Sequence, residues 1–254
     1  MTRTDDPYRD PVLYDLEYRG QREDVTWYVA LARRIGGPVL ELGCGNGRIT
    51  LPLAQAGLTV DGLDASVEML ADLGRKRDAE PDPVRARISA THADFRTFEP
   101  QRTYGLVIWP FNALHHCEGH AELLAVLGRA RRALAPGGTL ALDLYLPDVT
   151  LYDRDPNERF EARTFSHPLT GLELMSWEQH AWNARTRVHD VTYVWQWPDG
   201  HEERLRLSLN MYDMAELRTL FARAGFKVRW EADDFSGSPL RPRSLKWVCE
   251  LEAR

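Results

Sequence analysis

The chain has 254 residues, of which 43% are hydrophobic and 28% charged, a composition typical of a globular protein with one large core or two small ones. A formal net charge of −6 disfavours sequence-independent binding to nucleic acid, whose phosphates are held mainly by Lys and Arg. There is no apolar run of membrane-spanning length, no apolar segment of a signal peptide and no cysteine spacing for a disulfide framework or zinc site. A cytoplasmic protein without a metal is therefore expected.

Strand and helix patterns alternate along the first part of the chain. Residues 21–35 place apolar side chains at helical spacing and are followed by two glycines, a stop signal. The strands predicted after this helix are 38–42, 58–64, 85–95, 104–111 and 139–147, and the helices between them are 46–57, 66–78 and 120–138. Because such alternation forms right-handed βαβ units, it predicts a doubly wound, mostly parallel sheet.

The pattern changes after Pro147. Residues 159–210 show no helical periodicity, and turn residues separate three stretches of strand character: 171–182, 187–197 and 201–211. The α/β pattern then resumes with a helix over 214–225 and strands over 226–235 and 244–253. The sequence thus predicts one α/β domain over residues 1–254 with a seven-stranded sheet, an N-terminal helical cap over 1–35 and an antiparallel β insertion over about 150–212.

A glycine loop follows the first predicted strand and opens the first helix, in the order Gly43-Cys44-Gly45-Asn46-Gly47. Glycines at this place let a ligand approach the backbone, although one or two would also serve a plain turn. The next predicted strand ends at Asp64, 21 positions after Gly43. A carboxylate at that distance can accept hydrogen bonds from a ribose diol, whereas a lone Asp at a strand end is more often a loop cap. Together the loop and Asp64 predict a nucleoside site.

The loop differs from a pyrophosphate-binding fingerprint. Its spacing is Gly-x-Gly-x-Gly, whereas dinucleotide-binding loops have Gly-x-Gly-x-x-Gly. An acidic residue, Glu41, also stands just before the loop. A carboxylate there would repel a pyrophosphate, but it suits a ligand that carries an ammonium and a sulfonium. These features favour S-adenosylmethionine over NAD.

With these motifs the sequence resembles the class I S-adenosylmethionine-dependent methyltransferases, which have a Rossmann-like fold. Residues 39–47 (VLELGCGNG) look like the first motif of that family and 60–66 (VDGLDAS) like its second. Residues 104–116 (YGLVIWPFNALHH) look like the fourth-strand motif, and LAPGG with the strand after it resembles a later one. The chain after the insertion is similar, more loosely, to small-molecule methyltransferases of bacterial secondary metabolism.

The resemblance implies a set of cofactor-binding residues. Gly43 and Gly45 would line the methionine part, Asp64 would hold the ribose, and Asp94 would accept a hydrogen bond from the adenine amine. The further residues implied to lie against the cofactor are Tyr14, Tyr18, Glu41, Cys44, Asn46, Ala65, Met69, Ala93, Phe95, Trp109 and Phe111.

Several of these residues have plainer interpretations. Met69 could be an ordinary core residue of a helix, and Asp94 could belong to a solvated turn. Tyr14 and Tyr18 resemble aromatic residues that close over the cofactor in such enzymes, but either could simply anchor the N-terminal segment.

Methyl transfer asks little of side chains, because the sulfonium is an activated donor and catalysis is largely positioning with water excluded. A base helps where the acceptor is a hydroxyl or a protonated amine. His115 and His116 follow the fourth strand, so they are the candidate catalytic residues. The alternative is that one caps the next helix and the other packs beneath the loop.

Missing motifs narrow the reaction. The fourth strand ends in WPFN, not in the Asp/Asn-Pro-Pro-aromatic motif of enzymes that methylate nucleobase or amide nitrogens. There are no paired glutamates like those of arginine methyltransferases, and there is no acidic cluster for a magnesium ion. The aromatic side chains of the insertion could wall a substrate pocket, pack the insertion or form a dimer contact.

The sequence therefore predicts an enzyme that moves the methyl group of S-adenosylmethionine to an oxygen or nitrogen of a small molecule. The expected partner is this acceptor, and the insertion would serve either as a substrate lid or as the contact of a homodimer; no nucleic acid or membrane is expected. An RNA or protein methyltransferase and a non-catalytic cofactor-binding protein remain as alternatives.

Overall fold

The computed structural model describes residues 6–254. Two helices come first, α1 (Pro11–Tyr18) and α2 (Glu23–Ile35). The alternating series consists of β1 (Val39–Leu42), α3 (Thr50–Gln55), β2 (Val60–Asp64), α4 (Val67–Asp78), α5 (Asp82–Arg85), β3 (Ile88–His92), β4 (Tyr104–Trp109), α6 (Gly119–Ala133) and β5 (Leu134–Tyr145). The remaining elements are α7 (Val149–Tyr152), β6 (Phe160–Ser166), β7 (Glu173–Asn183), β8 (Val188–Gln196), β9 (Glu202–Asn210), α8 (Met214–Arg223), β10 (Phe226–Ala232) and β11 (Lys246–Ala253).

These elements form two compact units. The larger unit comprises residues 21–146 and 212–254, and the described part of the smaller unit comprises residues 6–20 and 147–211. Of the predicted helical cap over 1–35, α1 therefore belongs to the smaller unit and α2 to the larger, while residues 1–5 lie outside the described chain. The organisation as one methyltransferase domain with an inserted sheet stays a prediction.

The larger unit is built on a seven-stranded sheet in the order β10-β11-β5-β4-β1-β2-β3. β11 runs antiparallel to both of its neighbours, and the strand pairs from β5 across to β3 are parallel. The predicted seven-stranded, mostly parallel α/β fold is confirmed. The chain passes from β1 to β2 on one side and places β4 on the other, so the strand order reverses beside β1, where doubly wound sheets bind ligands.

Apolar layers cover both faces of this sheet, which explains why its central strands are almost continuously apolar. Leu40 and Leu42 of β1 join the core cluster on one face, together with α6 and α8. Val39 joins the cluster on the other face, together with α2 and α3. Glu41 alternates with the leucines and therefore points to the same face as Val39.

Local signals fix several helix ends. Ser66 caps α4 by accepting a hydrogen bond from the amide of Met69, as its place before the helix predicts. Asp213 and Glu216 form a capping box at the start of α8. The helix predicted over 120–138 ends at Ala133, because Pro136 disfavours helical backbone at the residue before it and Leu134 already pairs with Tyr104 in the sheet.

The smaller unit is built on a four-stranded antiparallel sheet in the order β6-β7-β8-β9. The three strands expected between residues 171 and 211 are present, and β6 pairs with β7 as a fourth. Asp10 caps α1, whose buried Leu13 and Leu16 pack against apolar side chains of the sheet, among them Trp195. The N-terminal helix thus supplies part of the core of this unit.

Candidate functional site

The glycine loop lies at the carboxyl end of β1 and has backbone that favours glycine. Gly43, Gly45 and Gly47 have φ of 76°, 53° and 89°, in the left-handed region. The amides of Gly43 and Cys44 both donate to the carbonyl of Leu63, at 2.9 and 3.0 Å, which ties the loop to β2. The three glycines are therefore required by the shape of the loop as well as by access for a ligand.

The space around the glycines differs from one to the next. A Cβ at Gly47 would lie 2.5 Å from Cδ1 of Leu73, so this glycine is needed for packing against α4. At Gly43 a Cβ would come no closer than 3.7 Å to any atom, with Ala113 and Phe95 as its neighbours. The first glycine therefore faces the segments that follow β3 and β4, and a Cβ there would be in ordinary van der Waals contact with them.

Asp64, at the end of β2, is held against the glycine loop. Its two carboxylate oxygens accept from the amides of Gly45, at 2.7 Å, and Ser66, at 2.8 Å. These bonds join the loop after β1 to the loop after β2 and fix the orientation of the carboxylate. The sequence-predicted pairing of the glycine loop with Asp64 is therefore a direct contact in the structure.

The other predicted residues of the first two loops divide by burial. Met69 is buried below the loop, where its Cε would lie 3.3 Å from a Cβ at Gly45. Cys44 is buried, with its Sγ 2.7 Å from where a Cβ at Gly62 would stand, and buried Asn46 donates to Asp72. These side chains point into the protein. Ala65, the fourth of the set, is exposed.

The segment after β3 brings Ala93, Asp94 and Phe95 to the same edge. The amide of Ala93 donates to the carbonyl of Asp64 at 3.0 Å. Arg96 forms an ion pair with the carboxylate of Asp94 at 2.6 Å. Burial favours a higher pKa for Asp94, but the hydrogen bonds and charge of Arg96 outweigh it and lower the pKa. An adenine amine would therefore share this carboxylate with Arg96.

Phe95 and Trp109 form an aromatic pair beside the glycine loop. Their ring centroids are 5.4 Å apart in an edge-on arrangement, and Phe95 reaches within 4.0 Å of where a Cβ at Gly43 would stand. Trp109 is fully buried, and its indole N–H has no hydrogen-bond partner within the described chain. A buried donor without a partner marks a place that a bound molecule or water can satisfy.

Glu41 is a buried carboxylate directly below the loop, with 2% of its surface exposed. Thr50 donates to its Oε2 at 2.6 Å. Burial raises the pKa of Glu41 to about 8, against the lowering effects of the Thr50 hydrogen bond and the charge of Arg48. Its negative charge is therefore costly unless a cation lies nearby.

The two candidate catalytic histidines lie in a short 3₁₀ turn, Ala113–His116, after β4. His115 is fully buried, and its Nε2 is 2.9 Å from the carbonyl oxygen of Tyr145 at the end of β5. His116 is half-buried. Burial, followed by the nearby charges of His115 and Arg96, lowers the pKa of His116 to about 4, so this imidazole is neutral at pH 7.

Sequence reasoning missed a polar group on the face that α2 covers. Asp143 of β5 is buried, and its Oδ1 accepts from the hydroxyl of Tyr28 at 2.7 Å and from the amide of Phe111 at 2.9 Å. On the same face Arg48 forms an ion pair with buried Asp24 at 2.6 Å. The available signal was a lone Asp inside the apolar run LALDLYL, since unpaired charges are rarely buried.

Tyr14 and Tyr18 lie in the smaller unit. Their ring centroids are 4.8 Å apart, and the hydroxyl of Tyr18 donates to the hydroxyl of Tyr193 at 2.7 Å. The structure therefore brings both tyrosines together with the antiparallel sheet, and their predicted part in cofactor binding stays a prediction.

The aromatic side chains of the insertion have packing partners within the smaller unit. Trp177 and Trp195 are buried, and Trp182 stacks on Tyr152 with centroids 4.0 Å apart.

Across the described residues, no helix has the length and apolar character needed to cross a membrane. The same part of the chain contains no group of three or more potential metal ligands.

Comparison with known proteins agrees with this geometry. Residues 39–138 match a protein-family model that is described as a methyltransferase domain. A dTDP-3-amino-3,6-dideoxy-alpha-D-glucopyranose N,N-dimethyltransferase from Streptomyces fradiae is 33% identical over 240 residues, covering 90% of this chain and 88% of that protein. A cypemycin N-terminal methyltransferase from a Streptomyces species is 28% identical, with the same coverage of both chains.

Solved structures share the fold. The CcbJ methyltransferase from Streptomyces caelestis superposes with a TM-score of 0.77 at 22% identity, covering 93% of this chain and 98% of that one. CalS10, an amino pentose methyltransferase from Micromonospora echinaspora solved with S-adenosylmethionine bound, gives a TM-score of 0.68, also at 22% identity, over 95% and 97% of the two chains.

The strand order, the glycine loop and its aspartate define a class I methyltransferase fold. The chain belongs to the S-adenosylmethionine-dependent methyltransferases, and S-adenosylmethionine is its methyl donor. The residues present fit this cofactor: Asp64 holds a carboxylate at the loop for a ribose, buried Glu41 can balance a nearby cation, and the buried indole N–H of Trp109 has no partner within the described chain.

Proposed function

We propose that the protein transfers the methyl group of S-adenosylmethionine to an amine nitrogen of an amino sugar. The observation that carries the proposal is that both relatives spanning nine-tenths of the chain are named for methylation of a nitrogen, one on an amino sugar nucleotide and one at a peptide N-terminus. The similarity extends well beyond the cofactor-binding half, so it includes the parts of the chain that differ most among methyltransferases.

The charges of the larger unit support an amine acceptor. Three carboxylates, those of Asp24, Glu41 and Asp143, are buried on one face of the sheet, and Arg48 is paired with Asp24. The raised pKa of Glu41 means that a cation nearby, such as an ammonium or a sulfonium, would favour its ionised form. An amine reaches the site as an ammonium and must lose a proton before its lone pair can attack the methyl carbon.

We further propose which residues hold the cofactor. The backbone of Gly43, Cys44, Gly45 and Asn46 would contact the methionine part, with Glu41 near its ammonium, and Asp64 would bind the ribose hydroxyls. The adenine would lie between Ala65 and Met69 on one side and Ala93, Asp94 and Phe95 on the other. Trp109 and Phe111 complete the proposed set within the larger unit. The cofactor supplies an electrophilic methyl group, and these residues hold it in line and exclude water.

We assign different roles to the two histidines. His115, whose Nε2 faces the carbonyl of Tyr145, would hold the turn, whereas His116 would accept the proton from the ammonium of the acceptor, although its lowered pKa makes the imidazole a weak base. His116→Gln should then lower kcat about a hundredfold or more at pH 7, within the usual range of general-base effects. His115→Gln should mainly lower the melting temperature. An unchanged kcat in His116→Gln would remove the base assignment.

The acceptor proposal is tested with matched sugars. The protein is incubated with methyl-labelled S-adenosylmethionine and either dTDP-3-amino-3,6-dideoxyglucose or its 3-hydroxy counterpart, and the products are analysed by mass spectrometry. Transfer of one or two methyl groups to the amino sugar, with none to the hydroxy sugar, supports the proposal. Methylation of the hydroxy sugar alone, or of neither sugar while other hydroxyl acceptors react, contradicts it.

A cytoplasmic location and a homodimer also remain proposals. Light scattering coupled to size-exclusion chromatography decides the second, since a dimer has twice the mass of the 29.1 kDa chain.

A further inference from the structure

The turn after β4 has backbone that needs outside support. Phe111 and Asn112 are consecutive non-glycine residues with φ of 57° and 61°, in the left-handed region. L-residues rarely adopt this region because Cβ crowds the neighbouring carbonyl oxygen, and two such residues in a row compound the cost. Conformations of this kind persist where surrounding contacts hold them and are frequent at functional sites.

Three hydrogen bonds from β5 hold this turn. The amide of Phe111 donates to Oδ1 of Asp143 at 2.9 Å, and the amide of Asn112 donates to the Asp143 carbonyl at 3.2 Å. In return the amide of Tyr145 donates to Oδ1 of Asn112 at 2.5 Å. Asp143 therefore satisfies both backbone amides of the left-handed pair, one with its side chain and one with its main chain.

Helix α2 is linked to the same turn by two side chains one helical turn apart, Asp24 and Tyr28, each of which acts through an intermediate residue. The hydroxyl of Tyr28 donates to Oδ1 of Asp143 at 2.7 Å, which holds the carboxylate that bonds to the turn. The carboxylate of Asp24 pairs with Arg48 at 2.6 Å, and the Arg48 guanidinium lies over the ring of Phe111, 4.4 Å from its centroid. Arg48 directly follows Gly47, the last glycine of the glycine loop.

We propose that α2 is a clamp that fixes the Phe111–Asn112 turn relative to the glycine loop, with Asp143 and Tyr28 as positioning residues for methyl transfer. The proposal relies on the cofactor lying at the glycine loop, and it is independent of whether the acceptor atom is nitrogen or oxygen. Asp143 acts through the backbone of Phe111 and not by contact with the reacting atoms.

The role of Asp143 is that of a hydrogen-bond acceptor and not of a base. Its Oδ1 receives both donors, from Tyr28 and Phe111, so an amide oxygen at the same place can do the same work. A side chain without that oxygen leaves the amide of Phe111 and the hydroxyl of Tyr28 without their acceptor. Asp143→Asn and Asp143→Ala therefore separate positioning from charge.

The first readout is hydrogen–deuterium exchange of residues 110–117, which needs no acceptor substrate. We expect Tyr28→Phe to raise the exchange rate of this segment severalfold and Asp143→Ala to raise it more, while Asp143→Asn keeps it near wild type. Tyr104→Phe is the matched control, because its hydroxyl makes a similar 2.8 Å bond to Asp61 at the opposite end of the sheet. This control should leave residues 110–117 unchanged.

The second readout is steady-state kinetics with the amino sugar nucleotide, alongside the Kd for S-adenosylhomocysteine. Misplacing a positioned group by about an ångström can cost up to about a hundredfold in rate, so kcat should fall about tenfold or more in Asp143→Ala and stay within about threefold of wild type in Asp143→Asn. If no amino sugar is methylated, the acceptor proposal fails, and the exchange data still decide the clamp.

Two results would overturn the clamp. One is wild-type exchange of residues 110–117 in Tyr28→Phe, or the same increase in Tyr104→Phe; this variant decides the matter even if Asp143→Ala does not fold. The other is an inactive Asp143→Asn whose turn remains protected, since that would place the charge of Asp143 in the chemistry itself.

Discussion

At the scale of single residues, Asp64 has the most direct consequence for cofactor affinity. Asp64→Ala should raise the Kd for S-adenosylhomocysteine by about ten- to a hundredfold, since hydrogen bonds to a charged group are worth about 1.5–3 kcal/mol each. Isothermal titration measures this directly. Asp61→Ala is the control, because Asp61 lies on the same strand but bonds to Tyr104 and Arg102. Equal losses in both variants would mean that the ribose lies elsewhere.

A second residue-scale prediction concerns Glu41 and pH. Burial raises its pKa from 4.5 to about 8, so the folded protein binds this proton more tightly than the unfolded chain does. Protonated Glu41 therefore makes its full contribution to the free energy of unfolding below pH 4.5, and this contribution is lost as the pH rises through 8. Glu41→Gln stays neutral and can still accept from Thr50, so its free energy of unfolding relative to wild type should increase from pH 6 to pH 9.

Urea denaturation at the two pH values measures this difference, because every other titrating group is shared by the two proteins. The exposed Glu252 supplies the control, since Glu252→Gln should show the same difference from wild type at both pH values. A Glu41→Gln curve parallel to wild type would show that the carboxylate is already ionised at pH 6.

At the scale of elements, the glycines before and after α3, Gly47 and Gly57, are required for different reasons. Gly47 has φ of 89°, and a Cβ added there would lie 2.5 Å from Leu73. Gly57 has φ of 93°, and a Cβ added there would have no neighbouring atom within 4 Å. Gly57→Ala should therefore cost only the backbone term, about 1 kcal/mol of unfolding free energy, and Gly47→Ala about 1–3 kcal/mol more. Chemical denaturation compares them. Equal losses would mean that Leu73 moves aside at no cost.

The elements also show what sequence can and cannot predict. The strands, the glycine loop and Asp64 were predictable, because apolar periodicity and the spacing from Gly43 are local properties of the chain. The contact of Asp143 with Phe111 was not, since it depends on the pairing of β4 with β5. Likewise the short helix α5 was not predicted, because none of its four residues is buried and its sequence therefore shows no apolar periodicity.

The same distinction applies to the predicted site residues. Asp94 was placed correctly at the carboxyl edge, but its pairing with Arg96 depends on side-chain conformation that no spacing encodes. The burial of His115 against the carbonyl of Tyr145 depends on where β5 ends in space. Propensity and pattern thus locate the edge of the sheet that carries the chemistry, while the hydrogen bonds there follow from contacts between distant segments.

At the scale of the whole molecule, cofactor binding should appear as a gain in stability. A ligand that binds only the folded state adds about 2.7 kcal/mol when present at a hundred times its Kd. For a chain of about 150–250 residues each kcal/mol raises the melting temperature by roughly 2–4 °C, so S-adenosylhomocysteine should raise it by about 5 °C or more. NAD at the same concentration should have no effect, because the loop lacks the Gly-x-Gly-x-x-Gly spacing. Calorimetry is the suitable measurement, since it also shows whether the larger and smaller units melt together. In Asp64→Ala the shift should fall to about half or less at that ligand concentration, and a shift with NAD instead would contradict the assignment of the loop.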